Sequence, residues 1–394
     1  MKFLPSLLVL SLLTCCIEVD ISIPSFPYIT EYFKISVALT QMTIAVNFFG
    51  FCLSSIFYGP LSDIYGRRKI MLYGNAIMAV GACGCAFADN IEFLLLARFV
   101  QGLGASTSAV VAFTMVADAY NAERSTKIIS IMNSLITIFS SAAPVIGGFI
   151  NEWFGWRGNY TIIAVLSVFS WILLYYFLPE TKKDRSIFLF KKISQDFIII
   201  SSNQKFIYSS LIPSLFFSGW MAFIACSSFL YINTYGLSVI TYACHQGLIV
   251  SIFCIFSFFC ARINNYIGMR NSVICGIGLM VLASIILLTV SIFSVNPYFT
   301  SISMMIYGAG SAISYPVIFV KSLDIFPDNK GLASSIIMSS RALICAGAVA
   351  ISSYFYNGYL FSTAILILII AFISLLFTVK LLAIMNFDNK IKEI

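Results

Sequence analysis

Charge is what this sequence of 394 residues has least of: Asp, Glu, Lys and Arg make up 10% of it, against 60% hydrophobic residues. A soluble domain needs a charged surface, so that class is excluded and the chain belongs in a bilayer. Histidine is scarcer still, with His245 the single one. Zinc sites want closely spaced His and Cys ligands, so no metal is expected. The 11 cysteines all fall within apolar stretches, where a free thiol is a small packing residue. With no clustered base, paired acid motif or nucleotide loop, an integral-membrane enzyme is not expected either, and no cofactor is called for.

What is present is apolar sequence in long runs. Cutting wherever charges, Pro or Gly cluster leaves twelve stretches of about 20 residues, each able to cross about 30 Å of hydrocarbon. They lie near 4–25, 39–60, 70–89, 93–115, 128–150, 159–178, 205–233, 240–261, 271–293, 297–320, 331–353 and 358–384. The short alternating segments of a membrane barrel are missing. The opening MKFLPSLLVLSLLTCC has the order of a secretory signal, but the run continues through Glu18 and Asp20 to Pro24 and is read as the first span.

All but four of the 23 Lys and Arg fall in loops on one side of these spans. Lys34 and Arg157 lie on the other side, and Arg98 and Arg341 sit inside apolar stretches. The positive-inside bias then makes both termini cytoplasmic, and the net charge of +7 is a topology signal that needs no nucleic-acid partner.

A polar linker, residues 179–204, separates two six-span halves, 1–178 and 205–394. Setting Gly66 over Gly268 aligns GPLSDIYGRR with ARINNYIGMR, placing Asp63 over Asn265 and Arg68 over Arg270. YNAERSTK falls near FPDNKGLA at a similar offset, as in a duplicated six-span unit. The expected fold is therefore all-α and membrane-embedded, with twelve helices in two pseudo-symmetric bundles.

Between spans two and three, GPLSDIYGRRKIML resembles the G-x-L-x-D-x-x-G-R-R/K signature of the major facilitator superfamily through Gly59, Leu61, Asp63, Gly66, Arg67 and Arg68. Gly59 allows a close helix approach, Gly66 a sharp turn, and Asp63 an interaction with a helix N-terminus. The resemblance implies a gating latch in which that partner is the start of span eleven, near residues 331–334. Span four, LLLARFVQGLGAS, is similar to the family's R-x-x-Q-G-x-G-A element through Arg98, Gln101, Gly102, Gly104 and Ala105. DISIPSFP resembles the D-x-x-x-P-x-x-P pattern of the bicyclomycin and chloramphenicol resistance branch through Asp20, Pro24 and Pro27. APVIGGFINEWFGWR resembles its antiporter motif through Pro144, Gly147 and Gly148, with Ala143, Ser130 and Phe139 standing where further glycines would be. LPET at 178–181 is another match.

An Arg inside a membrane is costly unless paired or hydrated and so marks function. Asp20 and Arg98 each lie about five residues in from the outer ends of their spans, so they share a depth, and the acids of span one are candidate partners for Arg98. Glu18, two residues from Asp20, points about 200° away. Both acids, with Arg98, are candidates for proton coupling, since desolvation and a neighbouring cation pull a carboxyl in opposite directions. Arg341 lies near mid-membrane in span eleven. It suits an anionic or zwitterionic cargo, a gating or interhelical hydrogen bond, or a cross-cavity partner for Glu18. Gln101 and His245 complete the candidate cavity, though His245 also suits a wet helix end.

The expected function is proton-coupled export of small amphiphilic compounds across a bacterial inner membrane by one chain, with the proton gradient as energy source. The alternative is an uptake or exchange carrier for a specific metabolite. A membrane receptor would not need Asp20 and Arg98 together.

Overall fold

The computed structural model describes residues 3–182, 190–326 and 329–385. Lys2, Lys183, Arg185, Lys390 and Lys392, part of the charge bias above, lie outside the described residues, as does Asp328 of the repeat.

Thirteen α-helices carry the described chain: α1 Leu4–Asp20, α2 Phe26–Phe33, α3 Val37–Tyr65, α4 Arg67–Ala86, α5 Ile91–Ala119, α6 Ala122–Phe177, α7 Phe190–Ser202, α8 Gln204–Ser228, α9 Val239–Ile267, α10 Met269–Phe293, α11 Pro297–Leu323, α12 Lys330–Phe355 and α13 Leu360–Ile384. Two depart from a helix-per-span pattern for stated reasons. The first span is broken between α1 and α2 by a 3₁₀ turn at Ile23–Ser25, since Pro24 and Pro27 cannot continue a helix but can start one. At 56 residues α6 is too long for one crossing, and it turns back at Gly155, whose φ of 69° is open to glycine. Asn159 Nδ2 donates to Gly147 O at 3.1 Å, a contact that twelve residues of straight helix would forbid. Spans five and six therefore meet with no loop, where the sequence suggested one at 151–158, and the count remains twelve. The polar linker contains α7.

α1 and α3–α6 pack together as one bundle and α8–α13 as the other, meeting through α3 against α12 and α6 against α9. The repeat is visible in the backbone. Ser36 and Ser238, 202 residues apart, each cap a helix of 29 residues by accepting the N–H three residues on, Leu39 N at 3.3 Å and Thr241 N at 3.1 Å. Those helices end at Gly66 and Gly268 with matching dihedrals, φ 98°, ψ 145° and φ 84°, ψ 150°. Below, the face carrying the 66–69 loop is called the basic face.

Candidate functional site: a sealed ion pair and the latch

Bare backbones place the buried charges. Side chains added at Gly50 or Gly102 would strike the backbone of Phe99 or Asn47, so their absence lets α3 and α5 touch. That contact delivers Asn47 to the pair between Glu18 and Arg98, which stand 3.6 Å apart with 2% and 0% exposure. Asn47 Nδ2 donates to Glu18 Oε1 at 3.1 Å and to Arg98 O at 3.2 Å, and Arg98 Nη1 donates to Gln101 Oε1 at 2.8 Å. The guanidinium carbon lies 5.9 Å from the Tyr160 ring centroid. Glu18 Oε2 and Arg98 Nε and Nη2 are buried without a hydrogen-bond partner among the described residues. The pair is thus balanced in charge but short of hydrogen bonds, which makes it costly to hold in the apolar interior.

Of the two acids of the first span, Glu18 is the partner of Arg98, although Asp20 shares its depth. Counting residues inward sets depth but not direction, and the 200° between the two acids allows only one to face α5. Asp20, half-buried at the end of α1, makes no ion pair among the described residues and comes just before the turn Ile23–Ser25, which packs against α8 and α9 of the other bundle. One acid is sealed inside a bundle, and the other stands beside the seam without an ion pair among the described residues.

Two cavity assignments also change. Gln101 is fully buried beside Arg98, so it orients that side chain and does not line an open cavity. His245 is buried within the second bundle, with Nδ1 2.8 Å from Ser301 Oγ and its ring 5.4 Å from Tyr231 and 5.2 Å from Tyr298. Aromatic neighbours on α11 and in the turn after α8 draw it inward from the helix end. Arg341 does not reach across to Glu18: its Nη1 donates to Tyr315 Oη at 3.1 Å, and its guanidinium covers the Phe217 ring at 4.8 Å.

Pro144 lies within α6, and the two glycines after it face different neighbours: Gly147 abuts the backbone of Ile21 at the end of the first span, while Gly148 abuts Ala243 on α9. The motif therefore sits on the seam.

The latch is built differently from expectation. Asp63 pairs with Arg67 at 2.8 Å and with Lys182, not with the start of α12. Two full cations outcompete the partial charge of a helix end. Arg67 Nε also donates to Asp118 Oδ2 at 2.9 Å and Nη1 to Ser62 Oγ. Glu180 accepts from Arg67 N at 3.0 Å and Arg68 N at 3.3 Å, capping α4 from 113 residues away. Arg68 donates to the carbonyls of Tyr175 and Leu178, both at 2.7 Å. The contact with α12 is made by Gly59, where a Cβ would lie 2.7 Å from Ser335 Oγ. Asp118, Glu180 and Lys182 carry no role in the sequence reading, although LPET flagged the segment holding Glu180.

A chain of twelve apolar spans in two bundles, holding charges at their seam, is a multi-pass membrane transporter by architecture. The profile of the Major Facilitator Superfamily matches residues 8–349, and the chain belongs to that family. A bicyclomycin resistance protein homolog of Haemophilus influenzae is 24% identical over 332 residues, 83% of each chain. The chloramphenicol resistance protein CraA of Acinetobacter baumannii is 24% identical over 372 residues, covering 92% of this chain and 88% of that one. These relatives agree with the branch that the first-span and fifth-span motifs resemble. The fold matches the partially occluded inward-open xylose transporter XylE of E. coli with a TM-score of 0.76, at 15% identity over 98% of both chains.

Proposed function

We propose that the chain is a proton-coupled exporter of small amphiphilic compounds. It works as a single chain in a bacterial inner membrane with both termini cytoplasmic. Residues 1–178 and 205–394, joined by 179–204, rock about the seam to expose the cargo site to each side in turn. The resistance names of the relatives support this cargo class.

The carrying observation is the division of the two acids: Glu18 sealed against Arg98, and Asp20 without an ion pair among the described residues, at the end of α1 beside the seam. In this reading Asp20 exchanges protons with water as the seam opens on either side, and the Glu18–Arg98 pair keeps the first bundle electrically balanced while it does so. The latch of Asp63, Arg67 and Lys182 stabilises one arrangement of the basic face, with Gly59 against α12.

The test is dye efflux from inverted vesicles with and without an imposed proton gradient. Asp20→Asn should abolish gradient-driven transport while cargo binding survives; intact coupling in both Asp20→Asn and Glu18→Gln would remove the proton site. Inward transport along a substrate gradient, with drugs neither bound nor competing, would turn the reading to a metabolite carrier.

A further inference from the structure

The two membrane-embedded arginines differ in one respect. Arg98 is fully buried and paired with Glu18, whereas Arg341 is half-buried and makes no ion pair among the described residues. It is the twelfth residue of α12, so it lies about 16 Å along a helix that crosses about 30 Å of hydrocarbon. No Asp or Glu occupies any apolar stretch of the second half, Glu18 is held by Arg98, and Asp20 forms no ion pair with Arg341. Its charge is therefore left unbalanced by the protein in a place where that is costly.

The surroundings of Arg341 are those of a site. Tyr315 Oη accepts from Nη1, which leaves the Tyr hydroxyl proton free to point outward beside the remaining guanidinium donors. Phe217 lies under the guanidinium, and Phe48 of the other bundle meets Phe217 edge to face at 6.1 Å. All four side chains are half-buried, so each keeps part of its surface free of the packed helices. Two residues before Arg341, Ser339 Oγ donates to Cys52 O at 3.0 Å, which puts this part of α12 on the seam.

We propose that Arg341 and Tyr315 form a carboxylate-binding site for small aromatic anions, with Phe217 and Phe48 contacting the ring. The planar guanidinium takes one carboxylate oxygen or both, the Tyr hydroxyl donates to one of them, and the ring lies against faces belonging to both bundles. Arg341 is thereby neutralised by the cargo and not by the protein. The proposal deepens the transporter reading and rests on it for the cavity between the halves.

The test is equilibrium binding to the full chain in nanodiscs, followed by calorimetry with naphthoate and with naphthamide, which has the same ring without the charge. The wild type should bind naphthoate at least about tenfold tighter than naphthamide. Arg341→Gln should lose that preference, with a size-exclusion profile and thermal unfolding like those of the wild type reporting that the chain is folded. Tyr315→Phe, which keeps the guanidinium, should lower the preference several-fold. No naphthoate binding by the wild type, equal affinity for the two probes, or an undiminished preference in Arg341→Gln overturns the proposal. If Arg341→Gln does not fold, Arg341→Lys takes its place, and a preference unchanged in both it and Tyr315→Phe is equally fatal. No gradient enters this measurement, so failure of proton-driven export leaves the binding result standing, and loss of the preference leaves export of neutral compounds untouched.

Discussion

Removing Arg98 should cost far more than removing the pair it belongs to. At 3.6 Å and an effective dielectric constant of about 20, the attraction between Glu18 and Arg98 is about 4 to 5 kcal/mol. Arg98→Gln leaves the Glu18 carboxylate, 2% exposed, with Asn47 as its one remaining donor among the described residues. Breaking a buried pair from one side typically costs about 3–5 kcal/mol, whereas replacing both partners is often close to neutral. Arg98→Gln alone should therefore lower stability by about 3–5 kcal/mol, and the double variant Glu18→Gln, Arg98→Gln should recover most of it. Unfolding in graded SDS micelles, followed by tryptophan fluorescence, measures all four corners of the cycle. Additive single effects, with a coupling below about 0.5 kcal/mol, would refute the reasoning that these residues form one energetic unit.

Further outcomes follow from the seam and the latch. Gly148→Leu should abolish transport in a folded protein, because a Cβ there already lies 2.8 Å from that of Ala243; wild-type flux would show that α6 and α9 do not stay this close. Ser339→Cys should form a disulfide with Cys52, whose sulfur is 3.3 Å from the Ser339 hydroxyl, halting transport until a reductant is added; mass spectrometry identifies the bridge. Glu180→Ala should cost α4 about 1 kcal/mol of end stability, so amides at 67–70 should exchange about fivefold faster by hydrogen-exchange mass spectrometry.

Much of the architecture was legible because hydropathy over about 20 residues is a strong signal and loop charge fixes the alternation of spans. The turn at Gly155 fits this pattern, since Glu152 and Arg157 flank it even though no loop is needed. Side-chain direction was not legible. Choosing between Glu18 and Asp20 turns on 200° of rotation over about 3 Å of rise, while span ends are known only to within several residues. The same limit hid His245, whose helix-end position suggested water but whose aromatic neighbours come from elements 14 and 53 residues away. Glu180 was hidden for another reason: its partners are backbone N–H groups 112 and 113 residues away, and a backbone donor leaves no mark in sequence.

The reversal at Gly155 has a mechanical meaning. A hairpin with no loop has no slack, so its two arms cannot shift independently. One arm rests on α9 at Gly148; the other is tied to α4 through Trp171 Nε1 and Leu72 O at 3.1 Å, and delivers the Tyr175 carbonyl to Arg68. The contact with α9 at the seam and the start of α4 on the basic face are thus joined through a single residue of chain reversal, and that residue is the one with no side chain.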